Sequence, residues 1–509
     1  MPSIVLATLN ARYSHASLGL RCLRANLGEL RNEAEIVEFV LGSRAEDVVE
    51  RILARGPRVV GFGVYIWNVE ETTRIVALLK TVAPQVAVVL GGPEVSHETE
   101  AQPICRAADY VVTGWGELSF AELARQILRG PRPLMKVHAG IQPPMQQLRF
   151  PYGEFADDDL RHRNLYVEAS RGCPFRCEFC LSALDRTAWP FPLEPFLAQM
   201  ARLYQRGARQ FKFVDRTFNL KVDSSLAILQ FFLDRIEASP ADPAFAHFEL
   251  IPDHLPERLK DLIARFPPGT LQFEIGIQSF NEEVQRLISR RQDNVAAEAN
   301  LRWLREQSNA HLHVDLIAGL PGEDVASFAR GFDRLAGLRP QEIQVGILKR
   351  LRGAPIARHT EAFGLRFNPQ PPYNILATDR IDFATMQRLS RFARYWDLVA
   401  NSGRFVRTLP LLLGDSPFAS FLAFADALYA AAGSRHAIAG ERLYEHLHAH
   451  LLVRGVAPAV ATGALAADYL ASGASGRLGF VEIEPLARAR RGQSEPPAAP
   501  RRQQRHLRA

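Results

Sequence analysis

Two trains of short apolar runs, each run followed by a helical stretch, constrain this chain more than any other feature. The first train places strands at 4–9, 35–40, 59–64, 86–90 and 110–113. The second places them at 165–169, 210–214, 246–250, 271–277, 312–317 and 342–348. Alternation of this kind predicts parallel sheets covered by helices, the α/β class. Between the trains, the region from about 130 to 163 holds five prolines and little periodicity, the mark of a linker. Beyond about 365 the pattern turns helical, at 383–401, 418–432 and 440–453. No internal repeat is present. The expected organisation is a doubly wound, Rossmann-like domain over 1–130, a linker over 131–163, a second α/β domain over 164–365, a mainly helical domain over 366–486 and a basic tail over 487–509.

A chain of 509 residues divides into more than one domain. With 47% apolar and 23% charged residues, it has the composition of a soluble globular protein. Five cysteines, three of them clustered, argue against a disulfide framework and for a reducing cytoplasm. The opening residues lack a basic leader, and their apolar run is too short for a signal peptide. Residues 409–433 are apolar-rich, but Asp415, Pro417 and Asp426 interrupt them, so they read as buried helix rather than a membrane span. The net charge of +6 is carried by the tail, where residues 488–509 hold seven arginines and one glutamate. A nucleic-acid-binding body is therefore disfavoured, and the tail reads as disordered.

Cys173, Cys177 and Cys180 fall within eight positions, in the run Arg171-Gly-Cys173-Pro-Phe-Arg-Cys177-Glu-Phe179-Cys180. Three thiolates can hold three irons of a four-iron, four-sulfur cube and leave the fourth iron open for chemistry. A closed structural zinc site wants four ligands, typically in two pairs. No second pair follows, and His162 is badly spaced for one.

In the first domain, glycines gather where ligands of open α/β sheets bind, beyond the carboxyl ends of the strands. Gly61 and Gly63 end the third run, Gly91-Gly92-Pro93-Glu94 follows the fourth and Gly114-Trp-Gly116-Glu117 follows the fifth. Glycine lets a flat or bulky ligand approach the backbone, although each of these is also an ordinary turn residue. There is no G-x-G-x-x-G fingerprint, so a dinucleotide is disfavoured.

The C-x3-C-x2-C spacing, with aromatic Phe179 before the last cysteine, resembles the radical S-adenosylmethionine (SAM) enzymes. The glycine turns preceding it look like the cobalamin-binding domain of the cobalamin-dependent members, in particular the subgroup with a helical C-terminal domain of unknown function. The resemblance implies a partial (β/α)6 barrel of the TIM type, a 4Fe-4S cluster, SAM and cobalamin. It implies methylation of an unactivated carbon through a 5′-deoxyadenosyl radical and methylcobalamin, with a radical rearrangement or a non-catalytic regulator as alternatives. The substrate is an unknown small molecule or peptide, and the electron donor a protein such as flavodoxin or ferredoxin.

By that resemblance, Asp215 stands where the family contacts the SAM amino group, without the familiar Gly-Gly-Glu. Glu249 ends the next strand. Gln278-Ser279 and Arg290 match the motifs that reach the SAM carboxylate, and Gly319, Pro321 and Gly322 form the turn beside the adenine. The familiar D-x-H-x-x-G of cobalamin domains is missing: Tyr13 replaces the aspartate. His15 is a candidate lower axial ligand, or else a helix-cap or phosphate-contacting residue. Methylthiotransferases of the same superfamily carry three further cysteines in the N-terminal domain. Only Cys22 and Cys105 lie there, and they read as structural.

Overall fold

The first train becomes strands β1 (Ile4–Asn10), β2 (Ala34–Val40), β3 (Val59–Gly63), β4 (Ala87–Gly91) and β5 (Tyr110–Gly114), joined by helices α1 (Leu18–Ala25), α2 (Ala45–Leu53), α3 (Val69–Val82), α4 (Pro103–Ala107) and α5 (Glu117–Arg129). Strand β1 pairs in parallel with β2 and β3, β3 with β4, and β4 with β5. All seven residues of β1 are buried, which is why its sequence is apolar without alternation. Ala7, Leu9, Phe62, Val88 and Leu90 pack with Val48, Ile52, Ile75 and Leu79 of α2 and α3. Ile4, Leu6, Val89 and Val112 face the other way, onto Leu20 of α1 and Phe120, Leu123 and Ile127 of α5. Each such side chain stabilises the fold by about 1.5–3 kcal/mol before entropy is counted.

The computed structural model describes residues 2–474, 478–481 and 500–507. They fall into two compact units. One comprises Met1–Arg216, Lys349–Ala357 and Asn368–Asn374, the other Thr217–Leu348, Arg358–Phe367 and Ile375–Ala509.

The first unit departs from expectation in the linker. Residues Val137–Gly140 form a sixth strand, β6, parallel to β5 with Val111 opposite Val137. Its residues are exposed or half-buried, so no apolar pattern announced it. Pairing to an existing edge creates this strand. The unit continues with α6 (Asp157–His162), β7 (Leu165–Val167), a small hairpin of β8 (Ser170–Arg171) and β9 (Trp189–Pro190), α7 (Leu193–Gln205) and β10 (Gln210–Phe213). Strand β10 lies parallel to β7.

The second unit begins with α8 (Val222–Ala238), β11 (Phe245–Leu250), α9 (Glu257–Ile263), β12 (Leu271–Gln278), α10 (Glu282–Leu287), α11 (Asn294–Gln307), β13 (His311–Ala318), α12 (Val325–Gly337) and β14 (Glu342–Ile347). Strands β11 to β14 form a parallel ladder. On β12 and β13 the apolar residues Phe273, Ile275, Leu312, Val314 and Leu316 are buried. Gln272, Glu274, His311, His313 and Asp315 alternate with them and give the other face a polar lining.

After a short hairpin of β15 (Arg366–Phe367) and β16 (Ile375–Ala377) the chain is helical: α13 (Phe383–Val399), α14 (Thr408–Leu413), α15 (Pro417–Ala432), α16 (Gly440–Val453) and α17 (Pro458–Ala471). Phe392, Trp396 and Phe418 pack around Phe332 of α12 with ring centroids 4.8–5.9 Å away, and Phe421 meets Phe392 and Trp396 edge-on at 5.2 and 4.9 Å. The apolar 409–433 stretch is thus two helices, and among the described residues no helix is long and apolar enough to cross a membrane. The tail differs from the expected disorder where it is described. Arg501–Leu507 form a helix, α18, anchored by Arg502 on Glu342 at 2.8 Å and on Asp397 at 2.7 Å. Carboxylates distant in sequence supply what composition could not show. Residues 487–499 of the tail lie outside the described residues.

Two buried arginines and two carboxylates knit α1, β2 and α6 together. Arg21 lies 3.0 Å from Glu38 and 2.8 Å from Asp159, and Arg163 lies 2.7 Å from Glu38 and 3.0 Å from Asp159. Burial alone would raise the pKa of both carboxyls, but the arginine charges and hydrogen bonds hold both below their ordinary values of 4.5 and 3.8. Such groups add stability that is complete above those values and is lost as pH falls through the lower folded ones. Glu38→Ala, which leaves guanidinium groups buried and short of a partner, is expected to cost about 3–5 kcal/mol in denaturant unfolding at neutral pH. Glu29→Ala, at an exposed ion pair, should leave the unfolding midpoint nearly unchanged. The gap between Glu38→Ala and wild type should narrow in acid.

Candidate functional site

The sheet order β2-β1-β3-β4-β5-β6 reverses direction between β1 and β3. Crevices of open α/β sheets lie at such points, outside the carboxyl ends. Asn68 pins the two strand ends there: its side-chain amide donates to the carbonyls of Leu9 at 3.1 Å and Gly63 at 3.2 Å. Beside it lies a cavity of about 410 Å³, walled by α1, the start of α5 and the ends of β3, β4 and β5. Gly61, Gly63, Gly91, Gly92, Gly114 and Gly116 all line it.

The glycines do different work. Gly92 has φ +114°, and an added Cβ would stand 2.4 Å from the carbonyl oxygen of Val64, so the backbone itself demands glycine. At Gly91 a Cβ would meet only the Val112 carbonyl, at 3.7 Å. That position has no structural need for glycine, which leaves the space itself as the reason. Pro93 starts a short turn after Gly92. His15 is not part of the cavity wall. Its Nδ1 sits 2.5 Å from the Tyr166 hydroxyl, and burial, with the nearby Lys212 and Arg12 charges, favours the neutral imidazole.

The polar end of the cavity is an ion cluster that composition did not reveal. Glu117, buried at the start of α5, pairs with the guanidinium of Arg171 at 2.5 Å, and Glu168 pairs with it at 2.8 Å. The same guanidinium lies 4.9 Å from the Trp115 ring centroid and 3.7 Å from Cys22 Sγ. Cys22, read as structural, lines the cavity, and burial pushes its thiol far above the ordinary range. Cys105, also read as structural, is buried in α4.

Arg171 stands two residues before Cys173. Gly172, between them, has φ +81°, and a Cβ there would stand 2.0 Å from the Thr187 carbonyl oxygen. The loop then closes on itself: the Cys173 amide donates to Asp185 O at 3.0 Å and the Cys180 amide to Cys177 O at 3.0 Å. Cys177 is buried, while Cys173 and Cys180 are half-buried. Burial pushes the Cys173 thiol up to about 11, so iron binding there must displace a proton. Among the described residues no three His, Cys, Asp or Glu side chains converge on a point for one metal ion. A cube asks for something else, since its thiolates bind different irons. Asp215 is fully buried, and its two oxygens accept from the Ala169 amide at 3.0 Å and the Ser170 hydroxyl at 2.7 Å. It braces the approach to the cysteine loop.

In the second unit, Gln278 ends β12 with φ +70°, rare for a residue with a Cβ. Its Oε1 is buried and has no hydrogen-bond partner among the described residues, an acceptor held ready for a donor. The register of β12 against β13 shifts at this point. Gly276 makes room, because a Cβ there would meet the Gln278 amide nitrogen at 2.3 Å. Arg290 donates to the Gly276 carbonyl and to Gln292 Oε1 at 2.9 Å. Ser279 donates to the buried Glu323 at 2.7 Å, and burial lifts that carboxyl to about 7. Glu249 sits near the end of β11, half-buried, beside Glu274 in the register. Gly319 and Gly322, with φ +87° and +76°, pack against Ile375 and Leu287, where a Cβ would stand 2.6 and 2.8 Å away. Pro321 lies between them in a buried turn.

On β13, His313 stands 3.3 Å from both Asp315 and Glu342. Burial would lower its pKa, but the two carboxylates raise it to about 10. This imidazolium and the Glu94 contacts described below were not singled out from sequence, since nothing local marks them.

Three family models match the chain in order. They are a B12 binding domain over residues 4–124, the radical SAM superfamily over 167–335 and a protein of unknown function (DUF4080) over 361–482. The chain is a B12-binding-domain radical SAM protein. An uncharacterized methyltransferase of Pyrococcus horikoshii is 30% identical over 247 residues, 43% of this chain and 53% of the relative. A cobalamin-dependent radical SAM methyltransferase, TokK, of Streptomyces tokunonensis is 25% identical over 353 residues, 62% of this chain and 51% of the relative. The chain thus spans about half the length of these curated relatives. Among solved structures, the radical SAM methyltransferase TsrM of Kitasatospora setae matches with a TM-score of 0.58 at 18% identity, over 73% of this chain and 79% of that one. The cobalamin-dependent SAM radical enzyme OxsB matches at 0.59 and 13% identity, over 92% and 79%. At such identities these two speak for the fold. The expected subgroup, with its C-terminal domain of unknown function, is the one found.

In this B12-binding-domain radical SAM protein, Gly172→Ala is expected to leave circular dichroism near native while costing about 1–3 kcal/mol in denaturant unfolding. Anaerobic reconstitution should then give markedly less bound iron than in wild type, because the Thr187 contact pushes the first cysteine out of place.

Proposed function

We propose that the chain is a cobalamin-dependent radical SAM enzyme that methylates an unactivated carbon of a small molecule or peptide. One observation carries this reading. Arg171 forms a wall of the glycine-lined cavity and, two residues on, the chain delivers Cys173, so one rigid segment serves both platforms. The methyltransferase relatives support methyl transfer over rearrangement.

The residues present fit the three cofactors. Cys173, Cys177 and Cys180 would hold the 4Fe-4S cluster, with Phe179 packed in the same loop. The buried acceptor of Gln278, with Ser279 next in the chain and Arg290 bonded to the Gly276 carbonyl, suits the amino acid end of SAM. Gly319, Pro321 and Gly322 would set the turn beside the adenine. Asp215 and Glu249 would act from their strand ends, Asp215 by holding the approach to the cysteine loop. The cavity, apolar but for the Arg171 cluster, takes a flat part of cobalamin, with Gly61, Gly91, Gly92, Pro93, Gly114, Gly116 and Glu117 at its wall or rim. His15, held by Tyr166 in its neutral form, remains a candidate cobalt ligand. Together the cofactors supply what no side chain can, a radical strong enough to take hydrogen from such a carbon and a methyl group to replace it. The protein aligns them and excludes water. Electrons would come from a small donor such as flavodoxin or ferredoxin, in the cytoplasm.

Protein purified and reconstituted without oxygen should contain about four irons together with cobalamin. Cys177→Ala should lose the iron and keep the cobalamin. Gly91→Ala, whose Cβ would come no closer than 3.7 Å to the Val112 carbonyl, should do the reverse. Methyl-labelled SAM, supplied with candidate substrates, should place label in the product. An unlabelled, rearranged product would defeat methyl transfer, and an absence of 5′-deoxyadenosine under reduction would point to a regulator.

A further inference from the structure

The segments Lys349–Ala357 and Asn368–Asn374 belong to the first unit although in sequence they interrupt the second. They hold each other through a bridge of Lys349 with Asn374 and a hydrogen bond from the Arg350 amide to Tyr373 O at 3.0 Å. On one side they grip the Gly91-Gly92-Pro93-Glu94 turn. Glu94 is buried, and its Oε1 accepts from the Tyr373 hydroxyl at 2.6 Å and from Arg352 at 3.0 Å. Arg352 also reaches Glu98 at 2.9 Å, and Arg350 reaches it at 2.8 Å. Gly353, with φ +82°, lies so close to the His97 ring that a Cβ would stand 2.4 Å from it. Gln102 fixes the turn from behind, donating to the carbonyls of Glu94 and His97. On the other side, the Ile356 amide donates to the Glu178 carbonyl at 2.9 Å. Glu178 is buried and lies between Cys177 and Cys180.

A strap only nine residues long therefore ties the rim of the cavity to the cysteine loop, through buried charged contacts at one end and a backbone hydrogen bond at the other. Neither site needs this for its own fold. The cavity wall is made by β3 to β5, and the loop is closed by its own amides. We infer that the strap sets the spacing between the corrinoid and the cluster with its SAM, and that Arg352 and Tyr373 are positioning residues for transfer between them. This rests on the two-cofactor reading above.

The test compares two reactions that need no substrate, in anaerobic holoprotein. Reductive cleavage of SAM to 5′-deoxyadenosine uses the cluster site alone. Methylation of the reduced, bound cobalamin by SAM needs both sites in register. Arg352→Ala and the milder Tyr373→Phe are expected to keep iron, cobalamin and SAM cleavage near wild type. Methylation should fall by about tenfold or more in Arg352→Ala, the scale of an ångström-sized misplacement, with partial recovery in Arg352→Lys. Hydrogen exchange should quicken together at 92–98 and 174–182 in Arg352→Ala. An unchanged ratio of methylation to cleavage in both variants, with faster exchange confined to 349–357, would overturn the inference and leave a purely structural clasp. Wild-type protein that binds cobalamin but never methylates it would sink the two-cofactor methylation reading itself, and the positioning role with it.

Discussion

The buried guanidinium of Arg171 is the group on which the arrangement turns. Taking it out of water is tolerable only because Glu117 and Glu168 both meet it and the Trp115 ring covers one face. Trp115 and Glu117 lie together at the start of α5, and Glu168 and Arg171 lie together just after β7. Satisfying one charge therefore fixes these two segments against each other. The consequence runs directly into the chemistry, because the next residues are Gly172 and Cys173. A guanidinium held by two carboxylates cannot drift, so the first thiol is delivered to a set place beside the cavity wall.

Buried charge is used in the same way elsewhere. Arg21 and Arg163 with Glu38 and Asp159 join α1, β2 and α6, and Arg352 and Tyr373 with Glu94 tie the strap to the cavity rim. In the second unit, Glu342 gathers His311, His313 and Arg502, holding the helical end of the tail against the start of β14. Each cluster links segments far apart in sequence, and each would be costly if broken and modest if absent altogether. Their value lies in fixing geometry, which the proposed reaction between two bulky cofactors would require.

Much of the fold was legible. The strands were placed to within about a residue or two at each end, since a strand buried on both faces is a short, continuous apolar run. The cysteine triad and the glycine turns were legible for a like reason: their chemistry depends on residue type and close spacing. Strand β6 was not, because an exposed edge strand carries no apolar pattern. Helix α18 was missed because arginine and glutamine in a basic tail read as solvated until Glu342 and Asp397 are seen opposite them. Gln278 was singled out by motif, but its left-handed backbone and an oxygen without a partner among the described residues were not foreseen, since they accompany the register shift against β13.

The sequence by itself determined the class of each domain, the three thiols and the glycine-bearing strand ends, all properties of local pattern. Only the tertiary structure decided which carboxylates meet Arg171, that Asp215 spends both oxygens on the approach to the cysteine loop, and that a segment beyond residue 348 returns to grip Glu94 and Glu178. The physical reason is the same in each case. An ion pair or hydrogen bond needs its partner within about 3 Å, and for residues tens to hundreds of positions apart that closeness is a property of the packed chain, invisible in the order of its residues.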